Sequence, residues 1–186
     1  MKNLKSIAVA LLGEVEYLYS LLEDTIEAAI NFYFDDAEIH VKRFAIPEEA
    51  FCETRNQYSA EHLLNFLNHQ NDLQHYDIVI GLIDRDVYYR NLEYIFGLAA
   101  TRSRRIIIST YRLKHDPSLM RTINFDVFKE RIFKELLHEL GHILGLEHCT
   151  NILCAMHFSP TLVEVDEKMP MLCNECLKKL EILKEK

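Results

Sequence analysis

The amino-acid sequence predicts an α/β (α+β) fold, a twisted mixed sheet packed with helices and followed by a small irregular C-terminal subdomain. Three observations predict it. Strand-like and helix-like patterns alternate through the first half; one long amphipathic helix carries an unusual group of histidines; and beyond that helix no strand pattern is evident, while four of the five cysteines fall in two close pairs. The expected division is residues 1–145, sheet and helices including the histidine helix, and residues 146–186, the small subdomain.

Residues 5–12 read as a buried strand. Their apolar stretch from Ile7 is interrupted by Gly13-Glu14 after Leu12, which is too short to span a membrane, and no small-residue cleavage site follows. Residues 14–34 place Val15, Leu18, Leu22, Ile26, Ala29 and Tyr33 at helical spacing, and residues 37–44 return to a two-residue alternation that Pro47 closes, so the chain opens as β-α-β. Ser59 is a cap for a second helix carrying Leu63, Leu64 and Leu67. Residues 77–83, Asp-Ile-Val-Ile-Gly-Leu-Ile, form a strand buried on both faces, which implies a largely parallel sheet with right-handed crossovers.

Two further strands are expected at residues 94–101 and 105–110. The few residues between them, including Ser103, make a hairpin, with one member at the sheet edge where an extended peptide could be added. The third helix starts near Thr122 or Asn124 and runs to the turn at Gly145. Phe128, Ile132, Phe133, Leu136, Leu137, Leu140, Ile143 and Leu144 cover a broad apolar arc on it, with His138 and His142 beyond one margin. Arg131 and Glu135 are expected as exposed partners on this helix, and Arg102, Arg104 and Arg105 as a solvated strand end.

Composition narrows the functional classes. A chain of 186 residues suits a single catalytic domain, and its formal charge of −8 repels polyanions, so neither nucleic acid nor a membrane is an expected partner. The expected setting is cytoplasmic and the expected state monomeric. In a reducing compartment, five cysteines argue for metal or thiol chemistry rather than disulfides. Cys52 stands apart from the pairs and reads as an ordinary buried thiol, and the histidines outside the helix motif as packing or solvated residues.

The chemistry concentrates in residues 138–148, His-Glu-Leu-Gly-His-Ile-Leu-Gly-Leu-Glu-His. Residues four apart on a helix share a face, so His138 and His142 point two imidazoles at one ion, and Gly145 turns the chain back to bring His148 as a third ligand. Three protein ligands leave a fourth zinc position open for water, the pattern of a catalytic site, and Glu139 is placed to act on that water as a general base. Cys149-x4-Cys154 and Cys173-x2-Cys176 offer four thiolates, a closed tetrahedral set suited to a structural zinc that would staple the tail to the catalytic helix. The final helix opens on the second pair, where its dipole favours thiolates.

His-Glu-x-x-His-x-x-Gly-x-x-His-Cys-x4-Cys-x-Met followed by Cys-x-x-Cys resembles the archaemetzincins, zinc metallopeptidases of the metzincin clan. The resemblance implies a zincin-like sheet subdomain above a horizontal cleft. It implies two zinc ions per chain, a catalytic one on His138, His142 and His148 and a structural one on Cys149, Cys154, Cys173 and Cys176. It also implies Glu139 as the base, Met156 as the methionine of a turn beneath the metal, and peptide or protein substrates cleaved by zinc-bound water. Where several metzincins carry a tyrosine two residues beyond that methionine, this chain has Phe158. No group for a substrate α-amine stands out, so aminopeptidase and endopeptidase modes both stay open. The alternative from another class is a catalytically silent zinc module that binds a peptide or protein.

Overall fold

The computed structural model describes residues 4–115 and 124–185. Strand β1, Ser6–Leu12, leads through Gly13, which takes φ +81°, into helix α1, Glu16–Tyr33, and back into β2, Glu38–Phe44. The two strands pair in parallel from Ser6 opposite Glu38 to Leu12 opposite Phe44, the expected β-α-β opening. Strands β3, Phe51–Cys52, and β4, Gln57–Ser59, follow, and the Ser59 hydroxyl accepts from the His62 N–H at 3.5 Å to start α2, Ala60–His69. Then come β5, Ile78–Ile83, all of it buried; the short β6, Val87–Tyr88; and the hairpin of β7, Gly97–Ala100, with β8, Arg105–Ser109.

The main sheet has the order β2-β1-β5-β8-β7, parallel except for β7, which runs antiparallel to β8 and forms one edge. Side chains alternate between its faces. Ile78, Ile80 and Leu82 join Ile7, Val9 and Leu11 in the core shared with α1 and with α3, Phe125–Ile143; Val79 and Ile83 join Ala8, Ala10 and Leu12 in the core beneath α2. Each fully buried valine, leucine or isoleucine among them contributes about 1.5–3 kcal/mol. Gly81 faces α2, where a Cβ would lie 2.7 Å from Ile107 Cδ1 and 2.9 Å from Leu67 Cδ1, so the missing side chain is what lets α2 approach the central strand.

Helix α3 begins where Asn124 Oδ1 accepts from the Asp126 N–H at 2.8 Å; Thr122, the other expected start, lies outside the described residues. The chain then forms α4, Leu162–Glu167, opened by a Thr161/Glu164 capping box, and α5, Asn174–Lys184. The core shared with α1 and α3 continues without a break into Cys154, Met156, Val165, Leu172, Cys176 and Leu180.

Several expectations are corrected. Residues 151–171 are not wholly irregular, since α4 lies within them, and a second small sheet, β3-β4-β6, was not foreseen because strands of two or three residues carry no period to detect. Cys52 is only half-buried. Arg105 is not solvated: it is 6% exposed and its Nη2 donates to the Leu73 carbonyl at 3.2 Å.

The largest correction concerns α3. Arg131 is 2% exposed; its Nε and Nη2 form a fork on Asp166 at 2.6 Å each, and its Nη1 donates to the carbonyls of Leu113 and His115 at 2.9 and 2.7 Å. Lys134, also 2% exposed, donates to the Val165 and Asp166 carbonyls in the last turn of α4. Docking of α4 therefore converts a charged stripe of α3 into interior.

Arg131→Ala strands the buried Leu113 carbonyl and removes the partner of the His115 carbonyl and of Asp166, so it is expected to destabilise the fold by about 1–3 kcal/mol in denaturant titration. Arg131→Lys keeps the charge but loses the fork and should also destabilise. A loss below about 1 kcal/mol for the alanine variant would contradict this account.

Candidate active site and metal centres

The last turns of α3 present His138 and His142 on one face, as their spacing requires, and their Nε2 atoms lie 3.0 Å apart. What fixes them is backbone. His138 Nδ1 lies 2.8 Å from the Ala155 carbonyl oxygen and His142 Nδ1 lies 2.8 Å from that of Leu146. A carbonyl only accepts, so each Nδ1 carries the proton, and in the neutral imidazole each Nε2 then presents a lone pair. Burial pushes both imidazoles below their usual pKa, His138 well below, which keeps them neutral. Two lone pairs directed at each other across 3.0 Å repel unless a cation sits between them.

The chain supplies the third imidazole by ending the helix sharply. Gly145 adopts φ +93°, and the Leu146 N–H closes on the Gly141 carbonyl at 2.9 Å, a helix end that needs a left-handed residue. The same Leu146 whose N–H closes the helix gives its carbonyl to His142. Beyond it His148 packs with ring centroids 5.2 Å from His138 and 4.9 Å from His142, and one nitrogen from each of the three rings lies within 4.8 Å of the others. Burial, and next His142, lower the His148 pKa as well.

Met156 is fully buried beneath this turn. A Cβ on Gly141 would overlap the Met156 sulfur and lie 3.0 Å from the Tyr33 hydroxyl, so the glycine within the His-x-x-x-His turn makes room for the methionine. Tyr33 in turn donates to the Leu137 carbonyl at 2.7 Å, tying α1 to the helix at the site. Phe158 packs at a tilt with its ring centroid 5.2 Å from that of His148 and is half exposed at the cleft.

Glu139 projects to the other side of the helix face, into a cavity of about 310 Å³ whose lining includes Tyr94, Phe96, Gly97, Glu135, His138 and Phe158. Burial, and next the Glu135 carboxylate, raise its pKa well above the usual carboxylate value, against the opposing pull of the Lys168 ammonium and the Ala99 N–H. A carboxyl moved upward toward neutrality is suited to taking and returning a proton.

Two charged side chains that sequence reasoning did not place at the site stand at the floor of this cavity. Lys168 is 3% exposed, and its Nζ lies 3.6 Å from Glu135 Oε1 and donates to the carbonyls of Ala155 and His157 at 3.4 and 3.2 Å. The Ala155 carbonyl thus serves the His138 imidazole and the lysine together. Glu135 was expected at the surface but is 5% exposed, and burial raises its pKa. The available signal was Glu135 lying one turn before Glu139 on the same stripe; nothing in the sequence pointed to Lys168.

The four cysteines converge on a second point. Cys149, Cys154, Cys173 and Cys176 are free thiols whose sulfurs all lie within 4.8 Å of one another, at the start of α5. The Cys154 sulfur accepts from the Cys173 N–H at 3.3 Å and the Cys149 sulfur from the Asn151 N–H at 3.4 Å. Burial opposes ionisation of Cys154, Cys173 and Cys176, yet the Cys176 N–H and the neighbouring thiols bring Cys173 down to about 7, while Cys154 and Cys176 are pushed up. Four thiolates this close are compatible only around a cation, and a tetrahedral sulfur set fits zinc. Cys149 directly follows His148, and its N–H donates to the Met156 carbonyl at 2.9 Å, so the two centres share one loop.

Comparison with known proteins agrees with this geometry. The profile of Peptidase family M54 matches residues 4–182. An archaemetzincin of Methanopyrus kandleri is 37% identical over 179 residues, covering 96% of each chain, and one of Halobacterium salinarum is 43% identical over 133 residues, 70% of this chain and 75% of the relative. The crystal structure of the Methanopyrus kandleri archaemetzincin superposes with a TM-score of 0.84 at 32% identity, covering 100% of this chain and 99% of that one. A structure described as a zinc-dependent peptidase, from Methanocorpusculum labreanum, superposes with a TM-score of 0.75 at 27% identity, over 94% of this chain and 99% of that one. Among the described residues no helix is long and apolar enough to cross a membrane. The chain belongs to Peptidase family M54, the archaemetzincins, and is a metallopeptidase of that family.

Proposed function

We propose that this chain hydrolyses peptide bonds with one zinc ion held by His138, His142 and His148 and with Glu139 as general base, and that a second, structural zinc is held by Cys149, Cys154, Cys173 and Cys176. The observation that carries the first part is the convergence of the His138 and His142 Nε2 lone pairs at 3.0 Å, each imposed by a carbonyl that binds the opposite ring nitrogen. Bound there, zinc supplies a Lewis acid that polarises a carbonyl and acidifies water.

The residues divide the rest of the work. Glu139 takes a proton from the attacking water and returns it to the departing amine, a transfer for which its raised pKa suits it. Phe158, packed against His148, and the apolar walls at Tyr94 and Phe96 limit water at the reacting bond. The substrate backbone is accommodated along β7. Phe96 and Ser109 bond across the hairpin, and by antiparallel alternation Leu98 does the same with Ile107, so Gly97 and Ala99 turn their backbone groups to the open edge. Residues 1–145 form the upper part of the cleft and residues 146–186 the lower part, in a monomer that works in the cytoplasm.

A silent zinc-binding module would have no use for a buried carboxyl of raised pKa beside an incomplete metal set, which favours the enzyme reading. Glu139→Gln should lower kcat by about 10²–10⁴-fold while the protein keeps its zinc, measured on an internally quenched peptide. Undiminished hydrolysis would remove Glu139 from the mechanism.

Elemental analysis of the purified protein should give two zinc ions per chain. Cys173→Ser together with Cys176→Ser should leave one and lower the melting temperature, because binding energy at a structural site is folding energy. A single zinc in the parent protein would contradict the assignment of the four-cysteine site.

A further inference from the structure

Where strand β7 comes closest to Glu139 of helix α3, at Gly97, the strand has no side chain. A Cβ on Gly97 would stand 2.8 Å from Glu139 Cγ, 2.8 Å from Oε1 and 3.1 Å from Cδ, so it would meet the whole outer half of the carboxylate side chain. The φ of Gly97 is not in the left-handed region, so its backbone conformation does not require glycine; the approach of Glu139 does. Gly97 therefore meets this side chain by lacking atoms, and two residues on, the Ala99 N–H on the same edge favours the ionised form of the same carboxylate.

Glu139 has little freedom to retreat. Helix α3 is fixed along its length by the Arg131 fork on Asp166, by Tyr33 on the Leu137 carbonyl, and by Met156 packed under Gly141. Strand β7 is fixed by its register with β8, Gly97 standing opposite Ile108, whose side chain is fully buried. With both backbones held, an added methyl group turns the carboxylate out toward the cavity.

We propose that Gly97 is a positioning residue for catalysis: lacking a side chain, it leaves the seat that holds the Glu139 carboxylate at the cleft wall beside His138. The inference rests on Glu139 being the general base, and it adds that the base is placed by the edge strand rather than by the catalytic helix alone. It also gives that strand a second task, beyond lying alongside the substrate.

The test is a double-mutant cycle on the zinc-loaded protein, with Gly97→Ala, Glu139→Gln and the pair together. A misplacement on the order of 1 Å costs about 10²-fold in rate. Gly97→Ala is therefore expected to lower kcat by about 10²-fold with KM, zinc content and the cooperative melt retained. In the Glu139→Gln background the same substitution should change the residual rate by less than about 2-fold, because a group acting through the base has nothing left to act on.

Gly81→Ala, in the other core, serves as the packing control: it should lower the melting temperature without touching kcat. An unchanged kcat in Gly97→Ala overturns the proposal. So does a rise in KM that accounts for the loss, a loss of zinc or of folding, or an equal loss in both backgrounds. If Glu139→Gln itself hydrolyses at the parent rate, the base assignment has failed instead, and the two failures are told apart.

Discussion

The site depends on two backbone carbonyls, those of Ala155 and Leu146, each accepting the Nδ1 proton of one histidine. Without them the imidazoles of His138 and His142 could carry the proton on either nitrogen and swing through their rotamers. With them, both lone pairs are committed to a single point. The carbonyls are themselves held by what surrounds them. Leu146 belongs to the turn that Gly145 permits, and Ala155 lies between Cys154 of the thiol cluster and Met156 under the helix, with Lys168 on the same oxygen. A local requirement of two rings thus reaches the helix end, the lower loop and the cysteine cluster.

Much of this was legible in the sequence because it rests on short-range geometry. The four-residue spacing of His138 and His142, the glycine that reverses the chain before His148 and the two cysteine pairs are statements about neighbours, and a helix or a turn decodes them directly. The β-α-β opening, the buried strand over Ile78–Ile83 and the edge hairpin were equally readable, since each spans enough residues to display a period.

The rest was hidden because it is made by docking. Arg131, Lys134 and Glu135 have the look of a solvated helix stripe, and only the arrival of α4, with Asp166 and two carbonyls of its last turn, and of Lys168 turns them into interior. Lys168 follows α4 and meets Glu135 more than thirty positions earlier in the chain, a pairing that no local pattern encodes. Gly97 looked like an ordinary strand residue; its importance lies in what stands opposite, a side chain of another element. At Glu139, burial first and Glu135 next push the pKa up, and Lys168, also brought by docking, holds it back.

Everything at this site follows from the committed tautomer of His138 and His142, which nitrogen NMR of the imidazoles reads out. In both the metal-free and the zinc-loaded protein, His138 and His142 are expected to keep a slowly exchanging proton coupled to Nδ1, with the larger shift on zinc addition falling on Nε2. A proton coupled to Nε2 in the metal-free protein, or loss of the Nδ1 proton on zinc addition, would contradict it.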